Sequence, residues 1–347
     1  MKRLQRALTA AKASLQCCYG RGNFVQVDVG RSLTAHVSNV FRCGSPWSCA
    51  LCAPVVRQRR AMEIDGALRR HLDGGGGALF VTLTLRHHRG DTLSSRLDPI
   101  TSSLRHVLNG APWERRKLAL GYVGSIKAVE ITHGDANGWH PHSHSLLLLQ
   151  RPATEIEVAD MQQWLYGRWL SIATRRGLGT VTRANGVDVR PITTQEGIAD
   201  YLTTIDGGWS PGLELARTDL KRRTPFDLLR QVLLTGDKRH AALWMEYERS
   251  TFGKRAIVWS PGLRALLCGV EEETADEILA ASEGLDLALI RALVPTELWN
   301  ETLRDASTGR LLTDIERAAA ALILIADVLG HDLVPLDVPR PEVTADA

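Results

Sequence analysis

Residues 121–149 read GYVGSIKAVEIT (121–132), HGDANG (133–138) and WHPHSHSLLLL (139–149). The two outer stretches have the composition of strands. The Asn137–Gly138 pair between them is a strong turn signal, so the segment is expected to fold as an antiparallel hairpin. Side chains alternate faces along a strand, which puts His140, His142 and His144 on one face. Same-face neighbours lie about 7 Å apart at Cα, near enough for two imidazoles to lean onto one divalent cation. A solvated histidine-rich edge would carry the same letters, but histidines followed at once by four leucines place polar groups beside a core strand. Glu130, on the first strand, is the candidate third ligand. A one-residue slip of the hairpin would turn it to the other face, where it would be an ordinary exposed strand glutamate.

Outward from the hairpin, ALFVTLTLR (78–86) alternates as a strand, with Leu79, Val81, Leu83 and Leu85 on one side and Phe80, Thr82 and Thr84 on the other. VVRQRRAMEIDGALRRHL (55–72) reads as a basic helix in which Val55, Met62, Leu68 and Leu72 can share a face, and Gly74 to Gly77 end it. Helical patterning returns over Glu155 to Arg175, with Trp164, Leu165 and Trp169 as core, and again from about Thr194 to Ile205. From about Leu266 the chain is Ala/Leu-rich and helical, and it closes on a proline-bearing tail. The expected class is α/β of the α+β type: a central antiparallel sheet with flanking helices, an N-terminal zinc module and a helical C-terminal region. The corresponding domains are 1–55, cysteine-rich; 56–265, sheet-bearing and catalytic; 266–334, helical; and 335–347, a loose tail.

The chain has 347 residues, of which 44% are hydrophobic and 23% charged, with a net charge of +3. This is a globular profile without a global polycationic character, so any nucleic-acid surface must come from local clustering of Arg and Lys. The apolar run near Ala318 to Ala326 is too short to span a bilayer and no signal peptide is evident, which places the protein in the cytoplasm, with no membrane partner. Cys43, Cys49 and Cys52 form C-x5-C-x2-C, a spacing suited to structural zinc. Cys17 or Cys18 is the natural fourth ligand and His36 the next choice; free buried cysteines are the plainer alternative. Cys268 reads as core. Arg57, Arg59, Arg60, Arg69 and Arg70 on the basic helix, and the run Lys221, Arg222, Arg223, are candidate phosphate contacts, or solvated basic faces.

FVTLTL (80–85), GWHPHSHSLLLL (138–149) and IADYLTTI (198–205) together resemble the ordered motifs of HUH endonucleases. More narrowly, they resemble the replication initiator (Rep) proteins of rolling-circle plasmids from Gram-positive bacteria. RCGSPWSCALC (42–52), DLKRRTPFDLL (219–229) and WMEYERSTFGKRAIVWSPGLRALL (244–267) are similar to stretches of actinobacterial plasmid Reps, so the likeness covers about residues 17–268. It implies a sheet of the HUH kind, with His140 and His142 as ligands of Mg²⁺ or Mn²⁺ and Glu130 as the acidic third ligand. His144, Thr82 and Thr84 take supporting roles. Tyr201 is implied as the nucleophile that cuts single-stranded DNA, leaving a 5′-phosphotyrosine and a 3′-hydroxyl primer. Glu196, or Asp200, is the candidate to activate water at termination.

Thr204 stands where the family pattern often has lysine, which shifts phosphate holding to Lys221 or Arg222. Implied partners are plasmid origin DNA, a host helicase and a DNA polymerase; the chain has no G-x-x-x-x-G-K-[ST] loop of its own. A relaxase usually has its tyrosine ahead of the histidines, and a single-tyrosine transposase lacks such a cysteine-rich leader. A non-catalytic zinc-dependent DNA-binding regulator is the alternative from another class.

Overall fold

The computed structural model describes residues 2–9, 12–29, 35–192, 224–269, 273–281, 290–305 and 307–329. The chain divides into two units, one of residues 45–273, the other of residues 2–44 with the chain from 274 onward.

The larger unit is built on a five-stranded antiparallel sheet. Its strands are β3 (Gly77–Thr84), β4 (Tyr122–Gly134), β5 (Gly138–Leu149), β6 (Val187–Ile192) and β7 (Ile257–Trp259), in the order β6-β3-β5-β4-β7. The expected hairpin is β4–β5. It closes from Gly134↔Gly138, and Gly138 takes φ +76°, a left-handed conformation that glycine adopts without a Cβ penalty. The register sets Glu130 opposite His142 and Ala128 opposite His144. On the other side of β5, Thr82 stands opposite His144 and Thr84 opposite His142. Directly opposed residues share a face, so Glu130, both threonines and the histidines project to the same side.

That face is shared between core and site. Helix α3 (Cys52–Asp73) packs Ile64 and Leu68 on Phe80, Ile126, Ala128, Leu146 and Leu148. At the helix's end, His71 Nε2 bridges the carbonyls of Gly77 and Leu149 at 3.2 and 2.9 Å. The buried side of α3 is Val56, Arg60, Ile64, Ala67 and Leu68, and Met62 is 61% exposed. The expected apolar face is therefore corrected: an arginine sits in the buried stripe, carried by Glu63 and by the Glu273 carbonyl.

Helix α4 (Leu93–Val107) lies on the opposite face, where Lys127 of β4 donates to its Thr101 carbonyl. Burial pulls the Lys127 ammonium down to about 8. After α5 (Ala111–Leu120), α6 (Glu155–Arg175) begins with a capping box between Thr154 and Glu157. Its buried Trp169 donates from Nε1 to the Thr84 carbonyl at 2.9 Å, pinning the end of β3. Later in the unit come α7 (Pro225–Thr235), α8 (Lys238–Thr251) and α9 (Leu263–Cys268).

In the smaller unit, β1 (Phe24–Val29) pairs with β2 (Ala35–Ser38) and with β8 (Ile290–Pro295), all antiparallel. α1 (Lys2–Leu8), α2 (Lys12–Gln16), α10 (Ala275–Ala281), α11 (Thr296–Asp305) and α12 (Thr308–Leu329) belong to the same unit. Val25, Val27, Val40, Val294 and Trp299 form its core, joined by Leu311, Leu312 and Ile315 of α12. The C-terminal region is helical as expected, except for β8. No helix among the described residues is long and apolar enough to cross a membrane.

Candidate active site

The site occupies the part of the sheet face beyond Phe80 and Leu146, where the β5 side chains change from leucine to histidine. Phe80 stacks on His144, with centroids 5.5 Å apart and planes at 13°. His144 is buried, and both of its ring nitrogens are engaged. Nδ1 meets Thr82 Oγ1 at 3.2 Å and Nε2 meets Glu130 Oε2 at 3.1 Å. His142 Nδ1 meets Thr84 Oγ1 at 2.9 Å, and its Nε2 faces His140 Nδ1 at 3.0 Å. The ring centroids of His140 and His142 are 3.9 Å apart.

The donor set suits a divalent cation. Two adjacent ligands at about 2.1 Å from an octahedral ion stand about 3.0 Å apart, which is the separation of these two imidazole nitrogens. Glu130 lies on the same face, its carboxylate held by His144. Thr84 bears on the tautomer. When its hydroxyl oxygen accepts from Nδ1–H, Nε2 of His142 presents a lone pair.

One residue here escaped the sequence reading. His87, three residues past the end of β3, lies with its ring centroid 4.0 Å from that of His140. It is half-buried, and burial is the main cause that holds its imidazole below the ordinary value, against a smaller raising effect of the Leu85 carbonyl. The only signal in the sequence was the pair His87–His88 directly after the first motif.

Tyr201, Glu196, Lys221 and Arg222 lie outside the described residues, as do Asp200, Thr204 and Arg223. Tyr247 is 1% exposed, donates its hydroxyl to the Trp47 carbonyl at 3.1 Å, and is pushed up to about 12 by burial. Such a phenol does not supply a nucleophile near neutral pH. Tyr122 is also raised by burial. Tyr166 points its hydroxyl at the Val181 carbonyl, 3.5 Å away, under Arg183.

The arginines of α3 are largely committed to protein partners. Arg57 donates to the Pro46 carbonyl at 2.7 Å and lies over Trp47. Arg59 makes a two-point pair with Glu273 at 3.0 Å. Arg60 bonds Glu63 and the Glu273 carbonyl, Arg69 pairs with Asp65, and Arg70 donates to the Leu267 carbonyl.

The sulfur atoms of Cys17, Cys43, Cys49 and Cys52 all lie within 4.8 Å of one another. Thiolates on a tetrahedral zinc at about 2.3 Å stand about 3.8 Å apart, so this set can hold a zinc ion. Cys52 N–H donates to Cys49 Sγ at 3.4 Å, as expected of a metal-binding knuckle. Of the two candidates for fourth ligand, Cys17 is in the cluster. Cys18 instead takes φ +74° and accepts from Arg42 at 3.7 Å, and His36 lies on β2 opposite Asp28.

A family model for replication proteins matches residues 36–284, most of the chain and all of the histidine site. The chain belongs to the replication protein family. Among similar proteins, "Protein rep" of Streptomyces lividans is 31% identical over 83% of this chain and 76% of its own length. "Protein rep" of Bacillus amyloliquefaciens is 27% identical over 30% of each chain. The "Neomycin resistance protein" of Streptomyces cyanogenus is 32% identical over 32% of this chain and 31% of its own. No solved structure matches this replication protein.

Proposed function

We propose that this replication protein initiates rolling-circle replication of a plasmid by nicking one strand at the origin through Tyr201. The observation that carries the reading is the ordered imidazole pair. His140 and His142 face each other at 3.0 Å on an antiparallel sheet, with Thr84, Thr82, His144 and Glu130 arranged around them. A Mg²⁺ or Mn²⁺ ion bound there supplies positive charge beside a scissile phosphate.

The protein groups do the rest. Thr84 sets the His142 tautomer, and His144, anchored by Thr82, orients the Glu130 carboxylate. The Tyr201 hydroxyl attacks phosphorus and gives up its proton; the bond from phosphorus to the 3′ oxygen breaks, and that oxygen takes a proton. The products are a 5′-phosphotyrosyl protein and a 3′-hydroxyl, which primes a host polymerase behind a host helicase in the cytoplasm. Lys221 or Arg222 steadies the phosphate in place of the lysine that Thr204 replaces, and Glu196 serves water at termination. Burial of Tyr247 supports Tyr201 by removing a competitor. The cysteine cluster holds structural zinc.

The test uses single-stranded DNA from the protein's own origin, with Mn²⁺ or with EDTA, and follows an SDS-stable adduct. The adduct should need the metal and vanish in Tyr201→Phe and His142→Ala. A folded protein that binds origin DNA without ever forming an adduct or a nick would be a DNA-binding regulator, and the nicking reading would fall.

A further inference from the structure

Helix α4 covers the sheet face turned away from the histidine row, and its end lies beside the end of α6. Between the two ends runs an open groove of about 500 Å³, whose lining includes His106, Asn109, Pro112, Arg168, Arg175 and Arg176. Arg175 and Arg176 are exposed, as is Arg105 next to His106. Among the described residues no carboxylate lines the groove, and Arg105, Arg175 and Arg176 have no carboxylate partner. By contrast, Arg59, Arg69, Arg116 and Arg151 of the same unit each pair with a carboxylate. The sequence carries the same bias: residues 161–187 contain four arginines and neither aspartate nor glutamate.

Cations at helix C-termini have a plainer use, because they offset the negative end of the helix and bond its last carbonyls. Arg168 serves that use for α4. Its guanidinium donates to the Asn109 carbonyl at 2.7 Å and reaches those of Val107 and His106 at 3.4 and 3.5 Å. At the end of α6, Arg175 gives its Nε to the Ser171 carbonyl at 3.3 Å. Arg105 and Arg176 are surplus to these needs and crowd His106, whose imidazole is held below its ordinary value first by burial, then by Arg176 and Arg105. Like charges gathered without counter-charge raise the free energy of the unbound protein, and a polyanion relieves that repulsion. Among the described residues the groove offers no aromatic platform: Trp113 and Trp169 are buried, and Trp164 lies under Arg116 and Arg168. Single strands are held largely by stacking bases on such platforms, whereas a duplex presents its phosphates with the bases turned inward.

We propose that the groove between the ends of α4 and α6 binds the phosphate backbone of the duplex DNA that flanks the nick site. Arg105, Arg175 and Arg176 are its contacts, and Arg168 holds the two helix ends together beneath them. The proposal rests on the reading of the chain as an origin-binding initiator and is independent of the chemistry at the histidines. The single strand is handled on the histidine face and the duplex on the other, so each has its own surface. Contacts to phosphate carry no base readout, so this surface adds affinity to every sequence alike.

The experiment uses the full-length protein, its cysteine site loaded with zinc, and reads fluorescence anisotropy of a double-stranded fragment of its own origin, and of a scrambled duplex of equal length, across a range of KCl. Each phosphate contact contributes about 0.9 to the slope of log affinity against log salt, so Arg175→Gln/Arg176→Gln should lower that slope by about 1.8 and weaken both duplexes at least about tenfold near about 0.1 M KCl. Arg175→Lys/Arg176→Lys, which keeps the charge, should bind nearly as the wild type does. Arg310→Gln/Arg317→Gln, an equal loss of charge at exposed positions of α12, should leave both duplexes bound as before. Adduct formation on an isolated origin single strand should be unchanged in the groove variant. Circular dichroism melting accompanies each protein, and Arg105→Gln, on the other helix, replaces the double variant if that melts early. An unchanged salt slope in the folded groove variant would overturn the proposal, as would an equal loss in the α12 variant, or loss of the single-strand adduct along with duplex binding. A wild-type protein that never forms the adduct would sink the nicking reading, and the duplex measurement would still decide the groove.

Discussion

Replacing Thr84 with valine removes one oxygen from the site and almost nothing else. Valine is isosteric and well suited to a strand. The backbone at position 84 is held independently: its carbonyl accepts from Trp169 Nε1 at 2.9 Å and its amide donates to the Gly186 carbonyl at 3.0 Å. What disappears is the 2.9 Å hydrogen bond between Oγ1 and His142 Nδ1. When Oγ1 accepts from Nδ1–H, Nε2 keeps its lone pair; without Oγ1 the ring can flip or switch tautomer. Loss of such a supporting bond typically weakens metal binding by about 10- to 100-fold, or about 1.4 to 2.8 kcal/mol. The cost to the fold is smaller, about 1 kcal/mol, because His142 is only partly buried and water can reach it. Mn²⁺ titration and urea unfolding on the same preparation separate the two effects. An unchanged Mn²⁺ affinity with a stability loss of several kcal/mol would show that Thr84 is a packing residue and that the tautomer argument is wrong.

Tyr247→Phe should keep adduct formation at the wild-type level and lose about 1 kcal/mol of stability, the value of its bond to the Trp47 carbonyl; an adduct lost in the folded variant would refute the exclusion of this tyrosine. Cys49→Ser should lose zinc, read by atomic absorption after dialysis, whereas Cys18→Ser should retain it, and equal zinc content in both would dismiss the assigned cluster. Lys127 is pulled down to about 8 in the fold from 10.5, so below pH 8 it is charged in both states and the burial cost is fully present. The unfolded chain holds the extra proton between pH 8 and 10.5, so stability should rise there by up to about 3 kcal/mol. Denaturation of Lys127→Met across this range should lack that rise, and a rise preserved in the variant would acquit the lysine.

How much of this could be read from the letters depends on how local the cause is. The β4–β5 hairpin announced itself by the strand composition of its two arms and the Asn-Gly signal between them. The helix α3 was legible as a helix, but its buried face was not, because a periodicity count treats Arg60 as polar and Met62 as apolar. In the structure Glu63 and the Glu273 carbonyl make the arginine an acceptable buried residue, and methionine is left outside. The pairing of β1 with β8 joins segments more than two hundred residues apart, a choice that no window of sequence contains. β6 carries Pro191 and two charges on an edge, so it reads as loop. His87 was invisible for a related reason: it reaches His140 from a loop, where position comes from bracing and not from a repeat.

The register of β5 carries the deeper point. Its leucines cannot set it, since Leu146, Leu147, Leu148 and Leu149 are buried on both faces and would read alike after a slip of one residue. The discriminating residues are the polar ones. A slip would turn the imidazoles toward the face covered by α4, away from Thr82, Thr84 and Glu130, and would bury ring nitrogens without their partners. Each such group costs about 1 to 3 kcal/mol when left unsatisfied, so several together outweigh any gain in a competing pairing. The bonds that orient the histidines are therefore the same bonds that fix the strand in place, and a substitution in this row acts on ring orientation and on register at once.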